Sequence, residues 1–262
     1  MKTYFKLELK KAIFSWRTML SILIVLTSLA IPFLEELRFP YPGLDGVDYY
    51  IRISYFSYIG YIGPVVTALI YSTSIIRDKD KGFINKLMEI IDLKTYYKVK
   101  VAVNSLVTFI VFAVCHGFMI VWLIIMHGVK APSAERLNSG AFTSLYDHSK
   151  ILYIVVILLI VSLSSVAFST FIFGIATATE SRLAAYIVPT FYVILTGVFF
   201  SALSLNTIIN FNIIYLFNLI IGNGAKGYSV IIYDLVLTTL GVALLYKFGY
   251  KKSLRLYEER QV

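Results

Sequence analysis

Long uncharged runs alternate along this chain with short charged segments. Runs free of Lys, Arg, Asp and Glu cover residues 18–34, 53–76, 101–129, 151–179 and 183–225, and a sixth, 227–246, is interrupted only by Asp234. A bilayer core about 30 Å thick takes about 20 apolar residues per helix, so the pattern predicts six membrane-spanning helices. The fifth run is 43 residues long and holds one crossing plus a remainder dotted with Asn206, Asn210, Asn212, Asn218 and Asn223. Five carboxamides are costly against lipid. Residues 205–226 therefore read as a re-entrant hairpin in the outer leaflet, placed before the sixth span.

The charged segments carry a helical period of their own. In residues 77–100, RDKDKGFINKLMEIIDLKTYYKVK, a placement at 100° per residue gathers Phe83, Ile84, Leu87, Met88, Ile90 and Ile91 into an arc of about 160°, with Asn85, Lys86, Glu89 and Asp92 opposite. Gly82 is suited to break the preceding helix. Such a short amphipathic helix either lies on lipid headgroups or docks on a partner. Residues 1–17 repeat the theme, since Phe5, Leu9, Ala12, Ile13 and Trp16 share one face flanked by Lys6, Lys10 and Arg17. This predicts an interfacial helix with its lysines toward anionic lipid.

Composition agrees with a membrane protein: 58% of the 262 residues are hydrophobic and only 15% charged, with a mean hydropathy of +0.78. Too few polar side chains remain to cover a water-soluble globule. Lys and Arg accumulate on the cytoplasmic side of membrane proteins. Eighteen of the 24 basic residues fall in 1–17, 77–100, the turn at 180–182 and the tail from Lys247, against six in the intervening loops. The expected topology is a multi-pass protein of the cell membrane with both termini cytoplasmic. The net charge of +9 follows from this bias and calls for no nucleic-acid partner. Ser28-Leu29-Ala30 has the small-x-small form of a signal cleavage site, but seventeen residues make a long preceding region, so the first span is expected to stay. Cys115, alone in the chain, reads as a buried free thiol.

Several motifs are decoys. GNGAKG at 222–227 fits G-x-G-x-x-G but follows an apolar run rather than a strand, and reads as a turn. No G-x-x-x-x-G-K-[ST] loop is present, so the chain has no phosphate loop for ATP. His116, His127 and His148 lack metal-ligand spacing, and His116 reads as a hydrogen-bonded interior group. Glu35-Glu36-Leu37-Arg38 is faintly like an intramembrane protease motif, yet no nucleophile or metal site completes it. The chain is therefore expected to be no enzyme, with no catalytic residue and no metal. Ser54, Ser57, Tyr58, Tyr61, Ala68 and Ser72 share an arc of about 100° on the second span, and Ser162, Ser165 and Ser169 one of about 60° on the fourth. Small hydroxyl residues either pack helices together or line a translocation path, and both uses are compatible at a dimer interface. Asp234 in the outer half of the sixth span either snorkels to water or contacts the hairpin.

The order of parts, with LELKKAIFSWR before the first span, six spans with both ends inside and the charged loop after the second, resembles the ABC-2 type permease family. The likeness covers essentially all of 1–262 as a single transmembrane domain and implies the membrane subunit of an ATP-driven exporter. Such a subunit dimerises with a second copy or a paralogue and couples to separate ATPase subunits, which bind the ATP and Mg. The match implies coupling roles for Gly82, Phe83, Leu87, Met88 and Ile91, and for Glu180, Ser181 and Arg182 in the other cytoplasmic turn. It also implies short external helices before the last span. The 20 Tyr and 19 Phe suit amphipathic or hydrophobic cargo such as an antimicrobial peptide or a drug. The alternative is a membrane-embedded immunity or binding factor that acts without ATP hydrolysis.

Overall fold

The computed structural model describes residues 2–38, 43–131, 140–203, 210–220 and 226–259, and every regular element among them is helical. Six stretches are long and apolar enough to cross a membrane: Trp16–Arg38, Ile59–Asp80, Leu93–His127, Lys150–Thr179, Arg182–Phe199 and Gly227–Leu256. The protein is thus an all-α, multi-pass membrane protein.

Short polar residues start these helices, as unpaired N-terminal N–H groups require. Ser15 Oγ accepts from Thr18 N at the head of α2 (Trp16–Arg38), and Asp92 from Thr95 N at that of α7 (Leu93–His127). Ser149 and Ser181 do the same for α9 (Lys150–Thr179) and α10 (Arg182–Ile194). Successive spans alternate in direction, which brings α1 (Lys2–Ile13) and α14 (Lys252–Glu258) to one end of the bundle. Tyr97, near the start of α7, accordingly shares a 2.9 Å hydrogen bond with Ser253. We call this end the basic face.

The second span departs from the expected single helix at 53–76. It breaks into α3 (Gly46–Phe56), α4 (Ile59–Ile70) and α5 (Ser74–Asp80). Ser57 turns extended between α3 and α4. The Ser54 carbonyl there accepts from Ser57 Oγ at 2.8 Å and from Asn218 Nδ2 at 2.6 Å, which compensates the interrupted ladder. Proline at Pro64 and Pro189 is accommodated within α4 and α10. The fifth span runs on from α10 through a π-turn at Leu195–Phe199 to α11 (Phe200–Ala202). The sixth is α13 (Gly227–Leu244) with a π-helical stretch, Leu245–Lys251. Glycine lets α9 and α13 meet: a Cβ at Gly174 would lie 2.6 Å from Gly241 O, and one at Gly241 2.5 Å from Thr170 O.

Packing defines two of the expected elements more closely. The apolar face of α1 does not lie on lipid: Ala12 is buried, and Phe5, Leu9 and Ile13 pack against the core. Its outward face holds Lys2, Lys6, Leu7 and Lys10, with Phe14 and Trp16 exposed just beyond. Of the asparagine-rich segment expected as a hairpin at 205–226, residues 210–220 and 226 are described. Its helix α12 (Ile213–Phe217) is buried against α4, α9 and α10. Asn212 caps α12 through Ile214 N, Asn210 Oδ1 accepts from Asn212 N, and Asn218 bonds the Ser54 carbonyl. The carboxamides therefore satisfy irregular backbone within the protein. Asn206, Asn223 and most of GNGAKG lie outside the described residues.

Candidate functional site

At the basic face, the two turns singled out in the sequence come together. Gly82 stands at φ +62, in the left-handed region that glycine adopts without strain, and sends the chain from α5 into α6 (Phe83–Met88). Glu180 is also left-handed, at φ 53. Its Oε1 accepts from Lys79 at 2.9 Å and from Lys252 at 3.0 Å. These two ammonium groups outweigh partial burial and hold its carboxyl below the usual range. Arg182 pairs with Asp80, and Ser181 caps α10 through Ala184 N. The loop after the second span, the turn between the fourth and fifth, and the C-terminal helix thus form one surface. They border a groove of about 730 Å³ lined by Ile84, Met88, Ile91, Leu93, Leu254 and Leu256 among others.

Within this patch the apolar face of α6 is turned mostly inward. Leu87 is buried against a cluster containing Ile75, Tyr96 and Tyr97, and Met88 and Ile91 pack on the same cluster. The helix stops at Met88, short of the expected Ile91. Outward are Phe83, with Lys11 Nζ 5.8 Å from its ring centroid, and Ile90, which is 81% exposed. Leu87 therefore serves the chain's own packing, while Phe83 and Ile90 face out.

The serine and tyrosine faces divide. The break at Ser57 ends the shared arc on the second span: Ser54 and Ser57 are buried, whereas Tyr58 and Tyr61 are exposed. On α9, Ser162, Ser165 and Ser169 are all fully buried. Ser162 and Ser165 donate to carbonyls of their own helix, and Ser169 donates to Asn104 Oδ1 while accepting from Thr108. Within this chain these three groups pack helices. His116 is buried with Nδ1 2.7 Å from Tyr50 OH, and Glu36 pairs with Arg52 at 2.6 Å.

Two buried charge clusters went unread in the sequence. At the basic face, Lys100 Nζ lies 2.7 Å from Glu8 Oε2 and 2.6 Å from Asp78 Oδ2. Tyr71 donates to Glu8, and Tyr96 donates to Asp78 at 3.1 Å. Burial works to raise the Glu8 carboxyl, but the attraction of Lys100 outweighs it and sets the group below its ordinary value. At the opposite face, Lys150 Nζ lies 2.7 Å from Asp45 Oδ2 and 2.8 Å from Asp48 Oδ2. Tyr146 donates to Asp48 at 2.5 Å, and its own hydroxyl is pushed up to about 12 by burial and by that carboxylate. Asp45 also accepts from Val47 N, Asp48 N and Lys130 N. Burial is outweighed there too, by Lys150 and these backbone donors, and the carboxyl sits low. Asp45 three residues before Asp48 at the head of an apolar helix was a legible cap signal. Lys100 carried no signal, because a lysine entering a span reads as a topological charge.

Compared with protein-family models, with curated proteins and with solved structures, the chain matches none.

Proposed function

We propose that this protein is the transmembrane subunit of an ATP-driven exporter, working as a dimer with separate cytoplasmic ATPase subunits on its basic face. The observation that supports the reading is the joining of the loop after the second span to the turn at Glu180–Arg182 by the Lys79–Glu180 and Asp80–Arg182 pairs. A partner seated on Phe83 and Ile90 would then act through one connected surface on the second, fourth and sixth spans. The basic bias of this face supports a cytoplasmic placement. Single cysteines at Lys81 and Lys226, over a buried Cys115 background, should label from outside only at Lys226.

The variant that tests coupling is Ile90→Asp. Ile90 is exposed, so the substitution spares the core, in contrast to Leu87→Asp. Burying an isoleucine at a contact is worth about 1.5–3 kcal/mol, and a desolvated charge there costs more. The expected result is normal membrane insertion with loss of ATPase co-purification and of substrate-stimulated turnover, while Lys86→Ala changes little. Intact assembly and turnover in Ile90→Asp would refute this contact, and a chain that binds cargo with no ATPase partner would favour the immunity or binding factor.

A further inference from the structure

The four most buried carboxylates among the described residues show how such a group is supported in this fold. Glu8, Asp45, Asp48 and Asp78 each have a lysine ammonium within 2.8 Å, and each accepts from a tyrosine hydroxyl or backbone N–H as well. Asp234 lies inside the sixth span, seven residues from the start of α13 and hence about 10 Å along it. It has none of this support. Ser164 Oγ, fully buried on α9, donates to Oδ2 at 2.7 Å. The other oxygen, Oδ1, is closed off from solvent and has no hydrogen-bond partner among the described residues.

Among the described residues, other charges are remote. Tyr233 on α13 and Tyr192 on α10 are the titratable neighbours, and they bond each other through their hydroxyls at 3.0 Å. Lys226 and Lys150 stand eight residues before Asp234 and fourteen before Ser164, or about 12 and 21 Å along their helices. A carboxylate with one neutral donor in this setting costs several kcal/mol, so it must take a cation from outside. Metal ions need several oxygen ligands and room for them, and an ammonium group needs space for three donors. Asp234 is half-buried, but its Oδ1, closed off by packing, leaves room for a proton alone, and Oδ2 is taken by Ser164.

We propose that Asp234 is a proton-binding site within the membrane, holding its carboxyl neutral at the packed α9–α13 interface. Loss of that proton would place a bare charge between two helices that meet at Gly174 and Gly241, so proton release is linked to loosening or hydration of this contact. The inference rests on the membrane-spanning fold and is independent of the exporter reading.

The test is difference infrared spectroscopy of the full chain in lipid nanodiscs at pH 7. Wild type minus Asp234→Asn should show the carbonyl stretch of a protonated carboxyl, and that band should fade as pH is raised. Carboxylate stretches in its place overturn the proposal. Should Asp234→Asn fail to accumulate, carboxyl-labelled aspartate in the wild type reads the same band. Dicyclohexylcarbodiimide gives a chemical reading. The carboxyl proton passes to a carbodiimide nitrogen, the carboxyl oxygen bonds the central carbon, and acyl transfer to nitrogen leaves a stable adduct with the mass of the whole reagent. One adduct mapping to Asp234 is expected alongside the protonated band.

Discussion

The two buried lysine clusters use the same charges, one lysine against two acids with tyrosine support, but they are built differently. At the opposite face, Asp45 and Asp48 belong to one capped helix start, and three backbone N–H groups bind Asp45 besides Lys150. At the basic face, Glu8, Asp78 and Lys100 come from α1, α5 and α7, and the bonds among them run through side chains. The first cluster is a local turn sealed by a distant lysine. The second is a tertiary junction whose members have no local reason to meet. A lost partner should therefore be felt more at the basic face, where backbone does not share the load.

The largest effect is expected from Lys100→Met. It leaves Asp78 without its lysine and Glu8 with only the more exposed Lys11 at 3.5 Å, a change that costs about 3–5 kcal/mol, and it should free α1 from the body. Detergent-solubilised thermal unfolding measures the first effect, and proteolysis within residues 2–15 the second. Lys150→Met should cost less, toward about 3 kcal/mol, because the backbone donors to Asp45 remain. Equal losses in the two variants would erase the distinction between the clusters.

Tyr146→Phe removes one donor to a carboxylate that keeps its lysine, so about 1.5–3 kcal/mol is expected from unfolding of the purified protein. Acid gives the gentlest comparison. The folded values of Glu8 and Asp45 lie below their ordinary 4.5 and 3.8. Their contribution is therefore present above those ordinary values and is lost as pH falls through the lower folded ones. Stability followed downward from pH 5 should decline in wild type. The decline should be shallower in Lys100→Met, where Glu8 has already lost its main charge partner.

How far the sequence could be read follows from which interactions are local. The six spans and the turn at Gly82 were legible, since hydrophobic run length and glycine's backbone freedom are local properties of the chain. The apolar face of residues 83–91 was legible as an amphipathic pattern, but what covers that face was not. A period of 3.6 marks an apolar side of α1 or α6 without saying whether lipid, a partner or the protein itself covers it. In both helices the chain's own core covers much of that side, and Ile90 rather than Leu87 is left outward. Likewise the uncharged run at 53–76 could not announce its break at Ser57, because what compensates the interrupted backbone there is Asn218, 164 residues away from Ser54.

By itself, then, the sequence determined that this is an all-α membrane protein with six apolar runs long enough to span, and how its basic residues are biased, because solvent transfer acts over a few residues. Only the tertiary structure decided that Lys100 and Lys150 are interior charges rather than topological ones, that the α9 serines are buried within the chain, that Glu180 is a junction, and that half-buried Asp234 lacks the lysine the buried acids have. Each of these depends on which side chain a distant helix brings within about 3 Å, and low-dielectric burial makes that contact decide whether a charge is stabilised or must be neutralised.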